Sequence, residues 1–244
     1  MDDSYLIKPI AYIYTDFDQR FGIPRQAGLI PELTAQIVFE REFRDVSSIR
    51  GLEGFSHIWL IWGFSETRID MAADKIQWSA TVAPPRLGGR EKVGVFAARS
   101  PYRPNSLGLS CVKLLSIDKE GAKAPVLYVG GADIMNATPV YDIKPYVPYS
   151  DSHPEASYGF AVSKNTFLEV EFPDDLLNII PDCKRSALMK ILAQDPRGSY
   201  EKSPGYVYGL SFAGFDIRFL VEGSILKVFD VISVISGNDT EHIK

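Results

Sequence analysis

Cysteine and histidine are scarce in this chain: two of the first and three of the second in 244 residues. Cys111 and Cys183 lie far apart and His57, His153 and His242 are scattered, so no CxxC or HxxxH spacing occurs. That pattern argues against a structural zinc site. It favours a reduced, cytoplasmic protein over a disulfide scaffold. No apolar run reaches the roughly 18 residues of a membrane-spanning helix. The opening MDDSYLIKPI places its acids ahead of its apolar residues, unlike a secretory leader. The sequence also lacks GxGxxG and the strand–helix alternation of a dinucleotide fold, and it shows no internal repeat. Without a GxSxG elbow, Ser56, His57 and Asp142 make no hydrolase triad. His57 instead belongs to a core-like run with Trp59 and Trp62.

What is present is an uneven charge. The total is −5, a balance unlike that of a dedicated nucleic-acid binder. Residues 1–150 carry 17 basic and 17 acidic side chains, and residues 151–244 carry 9 and 14. Within the neutral part, residues 84–115 hold Arg86, Arg90, Lys92, Arg99, Arg103 and Lys113 against the single acid Glu91. A +5 stretch in an acidic protein points to an anionic partner.

Short β-branched and aromatic runs predict strands at 5–14, 35–42, 56–64, 93–98, 109–117 and 126–130. A turn or short helix is expected at 43–49 and an extended segment at 142–149. Proline and glycine make loops of VAPPRLGG (82–89) and SPYRPN (100–105). Many short strands joined by turns predict a closed or partly closed β-barrel over residues 1–150. The polar SDSHPEAS (150–157) marks a junction. A small α+β C-terminal domain follows over 151–244. It is predicted to contain a strand at 166–172, a helix at 183–194 and strands at 206–210, 215–221 and 226–235. Ala187, Leu188, Ile191 and Leu192 share one face of that helix.

Four segments carry candidate chemistry. FGIPRQAGL (21–29) is a loop stiffened by Pro24 whose glycines admit close backbone approach, and Arg25 and Gln26 can read an adenine or a carboxylate or simply be the solvated groups of a surface loop. RSPYRPNSLGL (99–109) sets two arginines four apart around Tyr102, which suits forked bonds to phosphate or carboxylate and stacking on a base, and equally an ordinary rigid turn with exposed arginines. DIMNATPVYDIKPY (133–146) offers carboxylates able to bind a ribose hydroxyl or accept a proton, although Asn and Asp also serve as turn residues. In LAQDPRGSYEK (192–202), Asp195-Pro196 stops the helix and Arg197, Tyr200 and Lys202 can meet an anionic polymer or simply cover a helix end.

In that order, FGIPRQAGL, RGLEGFSHIWLIWGF, PPRLGGREKVGVFAARSPYRPNSLGLS, TPVYDIKPYVPY and LAQDPR resemble the TrmO family, also called YaeB or TsaA-like. These are S-adenosylmethionine-dependent tRNA (adenine-N6)-methyltransferases. The likeness runs from about residue 7 to 149 and resumes at LAQDPRGSY. It implies a β-barrel methyltransferase domain with a small C-terminal domain, working as a homodimer on the threonylcarbamoylated adenosine next to the tRNA anticodon. It also implies a cofactor site of Gln26, Ala27, Gly28 and Leu29, Ser65 and Glu66, and Arg99 and Leu109, closed by the turn Asp133, Ile134, Met135 and Asn136. The chain departs from the family's RPNP at Ser106 and from its DGTP at Asn136 and Ala137.

Methyl transfer to an adenine N6 needs alignment and an acceptor that localises a delocalised lone pair. Asp133, Asp142 and Tyr146 are the candidates. Arg86, Arg90, Lys92, Arg99 and Arg103 are expected to meet the phosphates of the anticodon stem-loop, with Arg197 added from the C-terminal motif. A non-catalytic RNA- or nucleotide-binding barrel is the competing function, because basic and aromatic residues suit it equally.

Overall fold

The computed structural model describes residues 5–64, 78–161, 167–197 and 205–234, and of Arg86 only the backbone. The first part contains eight strands: β1 (Ala11–Tyr14), β2 (Thr34–Phe39), β3 (His57–Gly63), β4 (Thr81–Val82), β5 (Val93–Gly94), β6 (Leu107–Asp118), β7 (Val126–Gly130) and β8 (Thr138–Pro145). A one-turn helix α1 (Pro148–Asp151) follows. The second part contains β9 (Glu169–Glu171), α2 (Asp174–Leu177), α3 (Asp182–Ala193), β10 (Tyr208–Phe212), β11 (Phe215–Glu222) and β12 (Ile225–Ser233).

Six strands close a barrel in the order β1-β2-β7-β6-β3-β8, and every described pairing in it is antiparallel. Alternation along each strand decides which side chains fill it. Ile58, Leu60 and Trp62 of β3 point inward and meet Val112, Ser110 and Gly108 of β6 in register. Ile13, Ile37, Leu127 and Val140 complete a core with no exposure, each contributing about 1.5–3 kcal/mol by leaving water. Because the barrel is closed, no edge remains to template aggregation. The hairpin β4–β5 is inserted between β3 and β6 as a separate two-stranded flap.

The second part is a four-stranded sheet, β10-β11-β12-β9, with only the β12–β9 pair parallel. The apolar stripe Ala187, Leu188, Ile191 and Leu192 of α3 lies in the same core as the sheet's buried side chains. That core also takes in Phe17, Ile30 and Leu33 from the connection between β1 and β2. Asp16 cements the junction. Its carboxylate pairs with Lys184 at 2.6 Å, and its carbonyl accepts from the Ala213 N–H at 2.9 Å. Among the described residues no helix is long and apolar enough to cross a membrane.

A mainly β fold is therefore present, with local corrections. Strand pairing begins at Ala11, not at residue 5, because Pro9 lacks a ladder donor and Tyr5 and Leu6 are exposed. The strand expected at 93–98 lasts two residues and gives way to the 3-10 turn Val95–Ala97, which buries Val95. The extended stretch at 142–149 is the end of β8. Pro145 closes the ladder and Pro148 opens α1, whose first turn needs no proline N–H.

Candidate active site

Strand direction alternates around the barrel, so three connections emerge at one end: β1 to β2, β3 to β6, and β7 to β8. These connections carry residues 26–29, the β4–β5 flap with Arg99 and Arg103, and residues 133–136. Segments more than a hundred positions apart in sequence thus share one rim.

The first loop is held from both sides. Gly28 donates its N–H to the Gly131 carbonyl at 2.8 Å, and Gly131 donates to Leu33 at 2.7 Å. A Cβ on Gly131 would lie 3.1 Å from the Gly28 Cα, and Gly131 sits at φ +77°, so the close approach needs glycine there. From behind, the C-terminal sheet supports the loop. Phe21 stacks on Tyr208 and Phe219, and a Cβ on Gly22 would lie 2.1 Å from Leu210 Cδ1. At the loop's tip the Arg99 guanidinium donates to the Gln26 side-chain oxygen.

Asp133 faces this junction. The Ser110 hydroxyl donates to its Oδ1 at 2.6 Å, and Ser110 in turn accepts from the Trp62 indole N–H at 3.0 Å. Burial pushes the Asp133 carboxyl above the ordinary carboxylate value. The Ser110 hydroxyl, the N–H groups of Asp133 and Ala27 and the Arg99 guanidinium pull the other way. The following turn is fastened to β1 and to the loop after it. Thr15 donates its hydroxyl to the Ile134 carbonyl at 3.0 Å and its N–H to Asn136 Oδ1 at 3.1 Å. Asn136 donates its N–H to the Phe17 carbonyl and its side-chain amide to Asp18. Ile134 has no exposed surface and the Met135 carbonyl accepts from Thr138, so the turn holds its shape through these bonds.

The structure thus brings Gln26, Ala27, Gly28, Arg99 and Asp133 together. Leu29 follows on the same loop, and its carbonyl accepts from Gln194. Leu109 turns to the outer face of β6 and is 58% exposed. Ser65 and Glu66 lie outside the described residues, as do Tyr200 and Lys202. Asp142 and Tyr146 are elsewhere. Asp142 is on the outer face, paired with Lys144 at 2.9 Å and accepting the Ile143 N–H. It borders a pocket of about 400 Å³ at the opposite end of the barrel, with Ile10, Phe39, Ile49, Phe55 and Pro145. Tyr146 packs there between the rings of His57 and Trp59. Arg197 is engaged within the C-terminal part. It is 7% exposed and makes a bidentate pair with Asp195 at 2.7 and 3.0 Å.

Both departures from the family pattern fall at left-handed backbone. Ala137 holds φ +57° where the family usually places glycine, and Ser106 holds φ +47° where it usually places proline. Proline cannot adopt that angle. Ser106 fastens the turn through its hydroxyl, which donates to the Pro101 carbonyl at 3.1 Å.

Sequence reasoning missed Ser110 and read Trp62 only as core. A signal existed: Ser110 is the one polar residue on the inward row Gly108, Ser110, Val112.

Comparison with known proteins shows the family of the chain. The family model for the tRNA-methyltransferase O N-terminal domain matches residues 12–152, and that for the TrmO C-terminal domain matches residues 165–234. The chain belongs to the tRNA-methyltransferase O family. Membership makes it an enzyme that methylates tRNA, which sets aside the non-catalytic barrel. The tRNA (adenine(37)-N6)-methyltransferase of Escherichia coli is 33% identical over 237 residues, covering 93% of this chain and 97% of that protein. The enzyme of the same name from Eikenella corrodens is 40% identical over 181 residues, covering 74% and 98%. The crystal structure of TrmO from Pseudomonas aeruginosa superposes with a TM-score of 0.74 at 30% identity, covering 94% of this chain and 97% of that one.

Proposed function

We propose that the chain transfers a methyl group from S-adenosylmethionine to N6 of the threonylcarbamoylated adenosine next to the anticodon of tRNA, with Asp133 as the proton acceptor. The observation that carries this is the meeting of a partly buried carboxylate with Gln26, the Ala27 N–H and Arg99 at one rim of the barrel. The E. coli and Eikenella relatives, named for N6 of adenine 37, support the choice of atom. The division into a methyltransferase domain over 1–150 and a C-terminal domain over 151–244, the homodimer and the cytoplasmic location belong to the same proposal. The two free cysteines suit a reducing compartment.

The donor set fits the methyl donor. An amide, a guanidinium, a carboxylate and backbone groups around a glycine–glycine contact offer both donors and acceptors to a nucleoside carrying a charged tail. Gln26, Ala27, Gly28, Leu29 and Arg99, with the backbone of Ile134, Met135 and Asn136, would hold it. S-adenosylmethionine supplies a methyl group already activated by a sulfonium.

What remains for the protein is alignment and proton removal. A carbamoylated N6 carries one hydrogen, and its lone pair is delocalised into both ring and carbonyl. Asp133 raises its reactivity by taking that hydrogen. Its low-dielectric setting brings the carboxyl closer to working pH. The flap presents the RNA surface: Arg90, Lys92 and Arg103 with the exposed rings of Trp78, Phe96 and Tyr102. Cations against phosphates and rings against unpaired bases suit an anticodon loop.

The test is incubation with labelled S-adenosylmethionine and total tRNA, followed by nucleoside analysis. Label in N6-methylated threonylcarbamoyladenosine is expected. Label confined to another nucleoside overturns the substrate, and wild-type turnover by Asp133→Asn overturns the acceptor.

A further inference from the structure

We propose that Trp62 and Ser110 are positioning residues that fix Asp133 as a proton acceptor through its Oδ2, with Ser110 reserving Oδ1 for itself. This rests on the reading of Asp133 given above and extends it to two residues that touch no substrate.

The direction of the hydrogen bonds carries the argument. An indole N–H can only donate, so the 3.0 Å bond from Trp62 occupies a lone pair of the Ser110 oxygen. The single Ser110 hydrogen is then directed to Asp133 Oδ1 at 2.6 Å. That distance is typical of a hydroxyl bonded to an ionised carboxylate. Oδ1 is therefore an acceptor, and a proton arriving at Asp133 is carried by Oδ2. The chain is fixed at its far end as well. A Cβ on Gly108 would lie 2.3 Å from the Trp62 ring, so the indole lies against the Gly108 backbone. The bulge between Ile61 and Trp62 in the β3–β8 ladder breaks regular pairing at the residue that starts the chain.

Packing alone does not account for a hydroxyl here. Ser110 is 3% exposed on an inward row whose register neighbour on β3 is Leu60. A buried hydroxyl is unfavourable unless bonded, and an apolar side chain would serve the core as well. Among the described residues, the groups that face Asp133 besides Ser110 from β6 are its own and the Ala27 N–H and the Arg99 guanidinium. Each favours the ionised form, and burial opposes them.

The step balances simply. The N6–C bond forms as the C–S bond breaks, the bonding pair stays on sulfur, and the N6 proton passes to Asp133 Oδ2. Losing the Ser110 hydroxyl leaves the acceptor in place but less readily ionised.

The experiment is the pH profile of kcat for tRNA methylation by Ser110→Ala, Ser110→Thr and Trp62→Phe, with Asp133→Asn as reference. In Ser110→Ala the acid limb should move to higher pH by about one to two units, the size of one charge-assisted hydrogen bond. Activity should recover at high pH, with an unchanged KM for S-adenosylmethionine. Ser110→Thr should return the limb towards wild type, and Trp62→Phe should shift it less, in the same direction. An unmoved limb in Ser110→Ala, or a loss uniform across pH, overturns the proposal. If Ser110→Ala does not fold, Trp62→Phe decides alone: a limb at the wild-type position overturns the proposal and a rise supports it. An inactive Asp133→Asn with an unmoved Ser110→Ala limb removes only this inference. An active Asp133→Asn removes the reading beneath it.

Discussion

Replacing Arg197 by alanine separates a role in the fold from a role in RNA binding. The guanidinium bonds both oxygens of Asp195 at 2.7 and 3.0 Å and lies 5.9 Å from the centre of the Tyr208 ring. Asp195 itself sits at φ +53° just after α3, so the pair clasps the helix end to β10. Truncation leaves the carboxylate without its guanidinium in a site where the Asp195 side chain is 18% exposed. Breaking a buried pair costs about 3–5 kcal/mol, and that residual exposure brings the figure to about 2–4. In a protein of this size the expected fall in Tm is about 5–15 °C. Thermal denaturation followed by circular dichroism gives the shift, and filter binding of tRNA over a salt series gives the other arm. Below the transition, the affinity and its salt slope should match wild type. An unchanged Tm together with a salt slope smaller by about one unit would refute this account and make Arg197 a phosphate contact.

Three further outcomes are expected. Ala137→Gly should stabilise the protein by about 0.5–1 kcal/mol in urea titration, because an L side chain at φ +57° carries left-handed strain. Lower stability would show that the turn tolerates the methyl group. Asp133 has its folded value raised by burial, so its contribution to stability is complete below the unfolded carboxylate range. That contribution is lost as pH rises through the folded value. The acid limb of methylation should accordingly lie above the ordinary carboxylate range, and a limb at the usual position would contradict the burial. The affinity for tRNA should fall steeply with salt, and Arg90→Ala or Lys92→Ala should each reduce the log–log slope by about one unit. A flat dependence would remove the flap from the interface.

Much of the fold was legible because the inward rows have period two and proline or glycine closes each run. β6, β7, α3 and β11 fall within a few residues of the runs that predicted them. The ring order was not legible. β2 pairs with β7 some ninety positions away, and nothing local in either strand names its partner. The site divided in the same way. Gln26, Gly28, Arg99 and Asp133 stand in loops of unusual composition, and these residues meet. Asp142 and Tyr146 share a segment with Asp133, yet β8 carries Asp142 to mid-strand on the outer face and Tyr146 to the opposite end of the barrel. Arg197 reads as solvated after a helix stop, and only Tyr208 and Asp195, folded over it, reveal its burial. Ser110 escaped notice because inward and outward rows exchange meaning with a shift of one residue.

The same topology explains how an acidic protein can carry a locally basic flap at one rim of its barrel. In a barrel whose strands alternate in direction, the first, third and fifth connections must share a rim. Here they are the loop of residues 26–29, the flap and the Asp133 turn. The third connection holds most of the +5 stretch, so its cations are gathered at the end of the barrel where Asp133 lies. The C-terminal part, which carries the whole −5, packs beneath the first loop through Phe21, Leu210 and Phe219. On the proposed reading, an RNA approaching the flap meets local cations first, within a Debye length of about 8–10 Å. The net charge of the chain is thus a poor guide to its partner. What matters is where on one connection the cations fall: residues 84–106 carry Arg86, Arg90, Lys92, Arg99 and Arg103 against the single acid Glu91.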